Sequence, residues 1–264
     1  MSEIPIPLFA NTNMQRSIGK KLIDAATFPL RAFWLFYDDK CGLSSLASER
    51  FDYVAGEVSG DCLDVGCGRH NRFIRDYVQG RGRGIDLFPY EGLTKENLVE
   101  DLGHLPFDDA SFESVTFIAN LNHCPRPQRD RELGEAFRVL NPGGRIIVTM
   151  GNPVAEILVH QVIRLYDKLF ETNLDMDGER GMEEEEEYYL TDAEIRQRLT
   201  RAGFIDIRKK YFLTQWALNH LFVARKPAAT TAGILIATQD SAMGRSENAS
   251  PPLAGEHSLA PGHC

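Results

Sequence analysis

Cys62-Leu-Asp-Val-Gly-Cys-Gly68, followed by Gly84-Ile-Asp-Leu87, decides the fold of this chain. An apolar run enters two closely spaced glycines. A second short run then ends at Asp86, about 20 residues further on, the separation at which open α/β sheets present a carboxylate to ribose hydroxyls. The glycines let a ligand approach the backbone, since a residue without Cβ tolerates both close contact and positive φ. Together the two segments describe the halves of an adenosine-binding crevice.

The glycine spacing separates the adenosine ligands. A pyrophosphate fingerprint reads G-x-G-x-x-G, whereas this turn reads Gly66-Cys-Gly68-Arg-His-Asn71, with Asn at the third glycine, so NAD is the weaker reading. Asp64 precedes the first glycine by two residues; a carboxylate there repels a pyrophosphate and suits a cationic ligand end. These charges point to S-adenosylmethionine.

On these residues the chain resembles the class I S-adenosylmethionine-dependent methyltransferases, especially the small-molecule branch (methyltransferase type 11) that includes quinone-biosynthesis C-methyltransferases. The likeness continues through Asp101-Leu-Gly-His-Leu-Pro-Phe-Asp-Asp-Ala-Ser-Phe112, Ser114-Val-Thr-Phe-Ile118 and Arg138-Val-Leu-Asn-Pro-Gly-Gly144, covering roughly residues 50–226. It implies a Rossmann-like α/β fold, a seven-stranded sheet with helices on both faces and a C-terminal antiparallel hairpin. It assigns Asp64, Gly66 and Gly68 to the methionine end of the cofactor, Asp86 to the ribose hydroxyls and Leu87 to the adenine face. Asp101 takes the adenine amino group, Leu102 donates through its backbone, and Asn120 joins the cofactor set.

In such enzymes the turn after the fourth strand borders the transferred methyl, and here it reads Asn120-Leu-Asn-His-Cys-Pro125. His123 is the candidate general base, with pocket wall as its alternative; Asn120 and Asn122 fix backbone or orient the acceptor. The turn lacks the Asn-Pro-Pro-aromatic or Asp-Pro-Pro-aromatic signature of base-methylating enzymes. Its Cys124-Pro125 reverses the order found in cytosine C5 enzymes. Arg69-His-Asn71 departs from the small residues usual after the glycines; Asn71 is expected to initiate the next helix.

Composition narrows the partners. A net charge of −9 disfavours a phosphate-backbone partner, so no nucleic acid is expected. The five cysteines, at 41, 62, 67, 124 and 264, form no C-x-x-C pair and no zinc spacing, and read as reduced thiols. No metal is expected, because no carboxylate triad is recognisable. Without a secretory signal or an apolar run of about 18 residues, the expected compartment is the cytoplasm, with no membrane insertion.

The 264 residues suit one core with appendages. Residues 1–43 form an N-terminal lid or edge segment, 44–226 the methyltransferase domain with an insertion at 151–190, and 227–264 a tail whose composition predicts disorder. Strands are expected near 61–66, 83–87, 98–101, 114–119, 144–150, 205–212 and 219–225, and helices near 44–58, 71–79, 127–140 and 191–202. Thr191-Asp-Ala-Glu194 is a capping box for the last helix. The insertion carries an apolar stripe from Val154 to Leu169 and the acidic run Glu183–Glu187, read as a solvated face.

The expected activity is methylation of a small biosynthetic intermediate, on oxygen before nitrogen or carbon, with glycan or natural-product tailoring in view. The alternatives are a protein or peptide methyltransferase and a non-catalytic S-adenosylmethionine-binding regulatory partner. Oligomeric state is not legible.

Overall fold

The computed structural model describes residues 16–35, 38–151 and 190–228. Apart from Ala228 these belong to the first of two units into which the chain divides, Met1–Pro227. Among them six strands form one sheet: β1 (Cys62–Val65), β2 (Gly82–Ile85), β3 (Phe112–Phe117), β4 (Leu140–Gly151), β5 (Ile205–Tyr211) and β6 (Asn219–Arg225), ordered β2-β1-β3-β4-β6-β5. The first four run parallel, whereas β6 pairs antiparallel with both β4 and β5, giving the expected C-terminal hairpin. From β1 the chain steps outward to β2 and returns to β3 on the other side. That reversal opens a crevice at the carboxyl ends of β1 and β3.

Alternation along the strands sends side chains to two cores. Leu63, Val65, Val115, Phe117, Ile146 and Val148 face α3 (Arg126–Val139) and α4 (Asp192–Arg201) through Leu133, Ala136, Ile195 and Leu199. On the other face Cys62, Ile147, Leu221 and Val223 pack against Val54 of α2 (Leu46–Ala55) and against Phe73, Ile74 and Val78. Thr191 caps α4 as the sequence predicts: its hydroxyl accepts from Glu194 N at 3.2 Å, and Glu194 Oε2 accepts from Thr191 N at 2.9 Å.

Two expected elements are replaced. The seventh strand at 98–101 is only a single parallel bridge, Asp86 to Leu98. Phe88 N, which the next rung would donate to Val99 O, goes instead to Asp86 Oδ1 at 3.1 Å, while the Asn97 side chain donates to Gly84 O at 2.7 Å and Thr94–Asn97 closes into its own capping box. The helix expected at 71–79 is instead a 3₁₀ turn at Arg69–Asn71 followed by one π turn, Phe73–Tyr77. Asn71 does not initiate it: φ is +59° at His70 and +45° at Asn71, outside the extended backbone of a helix cap. β4 also begins at Leu140, earlier than predicted, with a register irregularity opposite Phe112–Ser114.

The N-terminal segment supplies α1 (Ile18–Trp34), which contains Pro29. Proline cannot donate the helical bond to the carbonyl four residues back. Here the indole of Trp216, in the turn between β5 and β6, donates to that carbonyl, Ala25 O, at 2.8 Å. Buried ion pairs fix the helix: Arg31 meets Glu49 at 3.0 Å and Ser44 O at 2.8 Å, and Arg16 meets Asp24 at 2.9 Å as well as Asp52. Among the described residues no helix is long and apolar enough to cross a membrane. The 151–190 insertion beyond its first and last residues, and the tail beyond Ala228, lie outside the described residues.

Candidate functional site

The glycine turn is built by a tight return from β1. Gly66 N and Cys67 N both donate to Ile85 O, at 2.8 and 3.0 Å, tying the turn to the end of β2. Gly66 holds φ +75°, and a Cβ there would stand 2.4 Å from the Asn120 side chain, so glycine is required by conformation and by space. Asn120 closes that side by donating Nδ2 to Val65 O at 3.3 Å. At Gly68, φ +63°, an added Cβ would meet nothing within 4 Å, so open space lies before the turn.

Asp86 spans the two halves. Its carboxylate accepts from Gly68 N at 2.9 Å through Oδ2 and from Phe88 N at 3.1 Å through Oδ1. Each oxygen keeps lone-pair capacity after one bond, so the group can still accept from a ligand diol. Asp64 lies on β1, 1% exposed, and accepts from Thr116 Oγ1 at 2.7 Å. Burial lifts its carboxyl to about 7, against the pull of the Thr116 bond and with the help of the nearby Asp86 charge. The same burial and the two carboxylates push the Cys67 thiol far up.

This donor and acceptor set fits an adenosine sulfonium and not a pyrophosphate. The amides of Gly66, Cys67 and Gly68, which a phosphate would need, are already donated to Ile85 O and Asp86. Asp86 borders the open space with Asp64 buried behind it, and Leu87, 41% exposed past the end of β2, offers an apolar surface to a base.

The structure brings Asp64, Gly66, Gly68, Asp86 and Asn120 together around the ends of β1 to β3. Asp101 lines an open depression of about 720 Å³ with Leu98, Val99, His104 and Arg131, and Leu98 is the bridge partner of Asp86. Its carboxylate accepts from Gly103 N at 2.7 Å and pairs with Arg131 at 2.8 Å. Leu102 turns its side chain into the core. His123 ends a 3₁₀ turn, Leu121–His123, and its side chain lies outside the described residues.

Sequence reasoning missed what holds that turn. From α3, buried Arg129 donates to Cys124 O at 2.7 Å and to Asn122 O at 3.2 Å, while Cys124 Sγ donates to Glu132 Oε1 at 2.9 Å. Burial raises the Glu132 carboxyl to about 7 despite the thiol bond. The available signal was helical spacing: Arg129, Glu132, Leu133 and Ala136 share the inward face of α3. Thr116 and Thr149, which accepts from Ala119 N at 2.8 Å, were likewise hidden as ordinary strand residues. Among the described residues no cluster of three or more His, Cys, Asp or Glu is placed to hold a metal ion.

Residues 63–148 match the family described as a methyltransferase domain. A ubiquinone/menaquinone biosynthesis C-methyltransferase from Desulfotalea psychrophila is 32% identical over 122 residues, 43% of this chain and 48% of the relative. The corresponding enzyme from Bartonella quintana is 31% identical over 138 residues, 52% of this chain and 49% of the relative. A solved S-adenosylmethionine-dependent methyltransferase from Methanosarcina mazei shares 22% identity over 67% of this chain and 97% of its own, with a TM-score of 0.44. The chain thus spans about half the length of the curated relatives it matches. The match to a methyltransferase domain falls on β1 to β4, with the acceptor-rich crevice at their ends, and over this part the chain resembles the class I S-adenosylmethionine-dependent methyltransferases, the ubiquinone/menaquinone C-methyltransferases among them.

Proposed function

We propose that the chain transfers the methyl group of S-adenosylmethionine to a small-molecule acceptor. The observation that carries this is the crevice itself, with Asp86 poised for a diol, Asp64 behind the glycine turn, and loop amides committed to internal acceptors. Asp64 would meet the ligand's ammonium, Asp86 the ribose, and Leu87 the adenine. The cofactor supplies a methyl carbon bound to a positively charged sulfur. For the chain the task is alignment and exclusion of water, because that charge is lost as the methyl moves.

Sequence features alone rank oxygen ahead of nitrogen and carbon. The names of the relatives move carbon forward, and an activated ring carbon of quinone type becomes the acceptor of first choice. A carbon acid must shed a proton; His123 is the proposed base, held on a turn that Arg129 and Glu132 clamp from below. Glycan and natural-product tailoring remain the second choice of acceptor class.

Incubating the full chain with labelled S-adenosylmethionine and acceptor pools tests this. Acceptor-dependent S-adenosylhomocysteine with label in an alkali-stable carbon-bound methyl is expected. Label in an ether or amine restores the oxygen or nitrogen order. Tight cofactor binding with no product from any pool would favour the non-catalytic regulatory alternative.

A further inference from the structure

α1 is built inside out. Its inward face carries Asp24 and Arg31, both fully buried and ion-paired or hydrogen-bonded, with Phe28 between them. Its outward face is apolar from end to end: Ile18, Gly19, Leu22, Ile23, Ala26, Pro29 and Leu30 recur at helical spacing and are all exposed. Beside it stand Leu213 and Trp216, in the turn that touches α1 through Phe28 and Ala25 O. Of the eight exposed large apolar side chains among the described residues, six belong to these two elements, from Ile23 at 53% exposed to Ile18 at 79%. So concentrated a patch marks an interaction surface and not scattered surface apolarity.

The charges around the patch choose its occupant. Lys20 and Lys21 flank the apolar face, and Lys20 Nζ reaches Gly42 O at 2.9 Å, which brings the turn carrying exposed Lys40 alongside. α1 exposes no carboxylate, since Asp24 is buried. Of the neighbouring acids, Asp38 faces Arg72 at 3.6 Å and Asp39 accepts from Ser45 N at 2.7 Å. In a chain of net charge −9 this edge is locally basic. A second copy meeting this face would present no α1 carboxylate to the lysines, since Asp24 is buried, whereas an anionic surface would neutralise them. Trp216 adds an aromatic ring whose N–H is already satisfied by Ala25 O, leaving its apolar edge outward.

We propose that α1 and the Leu213–Trp216 turn form a docking face for an anionic lipid bilayer, with α1 lying in the plane of the interface and Lys20 and Lys21 at the headgroups. The proposal stands independently of the acceptor assigned above. Full-length protein is sedimented with vesicles of phosphatidylcholine and phosphatidylglycerol in equal parts, with vesicles of phosphatidylcholine alone, and without lipid. Co-sedimentation with the mixed vesicles is expected, weakening with salt. Leu22→Glu and, separately, Leu30→Glu should each lower the partition coefficient about tenfold or more. Lys20→Gln with Lys21→Gln should lower it about fivefold per lysine on mixed vesicles and leave phosphatidylcholine alone unchanged. Unaltered circular dichroism and unaltered S-adenosylmethionine affinity in these variants separate the face from the cofactor crevice. Absence of pelleting with mixed vesicles, or pelleting that neither glutamate changes, overturns the proposal. So does a lipid-free dimer, detected by sedimentation equilibrium, that Leu22→Glu dissociates.

Discussion

Asp64 pairs a sequence position that was legible with an energetic state that was not. Its place before the glycines is a motif, but its burial beneath the turn and its bond to Thr116 depend on how β3 lies beside β1. The carboxyl stands near 7 in the fold against 3.8 ordinarily. Between those values the folded state keeps a proton that the unfolded state has lost, so stability present at low pH is lost as pH rises from about 4 to about 7. Relative to Asp64→Asn, the parent should lose on the order of 4 kcal/mol at most across that range, measurable by denaturant titration at each pH. A cationic ligand end beside the carboxylate should expel the proton. Calorimetry near pH 6 in buffers of different ionisation enthalpy should therefore show proton release on binding S-adenosylmethionine, and little or none in Asp64→Asn. His123, named from the turn's sequence alone, is tested by His123→Gln, which should lower turnover about 10² to 10⁴-fold with little change in cofactor affinity. Parental turnover throughout the imidazole range would leave His123 as pocket wall.

Elements with strong local signals emerged close to where the sequence set them: α4 between its capping box and Gly203, α3 after Pro125, and the closing hairpin. The misses were set by single residues. Asp86 takes Phe88 N on its own carboxylate and reduces a strand to a bridge, and positive φ at His70 and Asn71 breaks the first turn of the helix expected at 71–79. No periodicity carries that information. The pairing of Pro29 with Trp216 belongs to the same class. Trp216→Phe should cost about 1 kcal/mol by leaving Ala25 O without its indole donor. In a Pro29→Ala background the restored helical N–H serves that carbonyl, so the same substitution should cost less. A double-mutant cycle by thermal unfolding reads the difference, about 0.5–1 kcal/mol of coupling. Arg129 holds the turn before α3 through two carbonyls, so Arg129→Met should cost about 1–3 kcal/mol, as it leaves Cys124 O and Asn122 O without their buried donor, a loss read by thermal unfolding.

For the whole molecule, the crevice follows from topology: the strand order reverses between β2 and β3, and that reversal with the glycine turn gathers Asp64, Gly66, Gly68, Asp86 and Asn120, which we propose as cofactor residues. Asp101 and Leu102 were expected from family likeness alone; past the bridge at Leu98 the Asp101 carboxylate pairs with Arg131 and the Leu102 side chain enters the core, which leaves its backbone N–H role as a proposal. Asp86 is where motif, topology and hydrogen bonding meet. Isothermal titration calorimetry of the full chain should give one S-adenosylmethionine site, with NAD bound far more weakly. Asp86→Ala should weaken that site by about 2–4 kcal/mol, since it removes a charge-assisted double acceptor. Unchanged affinity in Asp86→Ala, or NAD bound more tightly than S-adenosylmethionine by the parent chain, would contradict the assignment of this crevice.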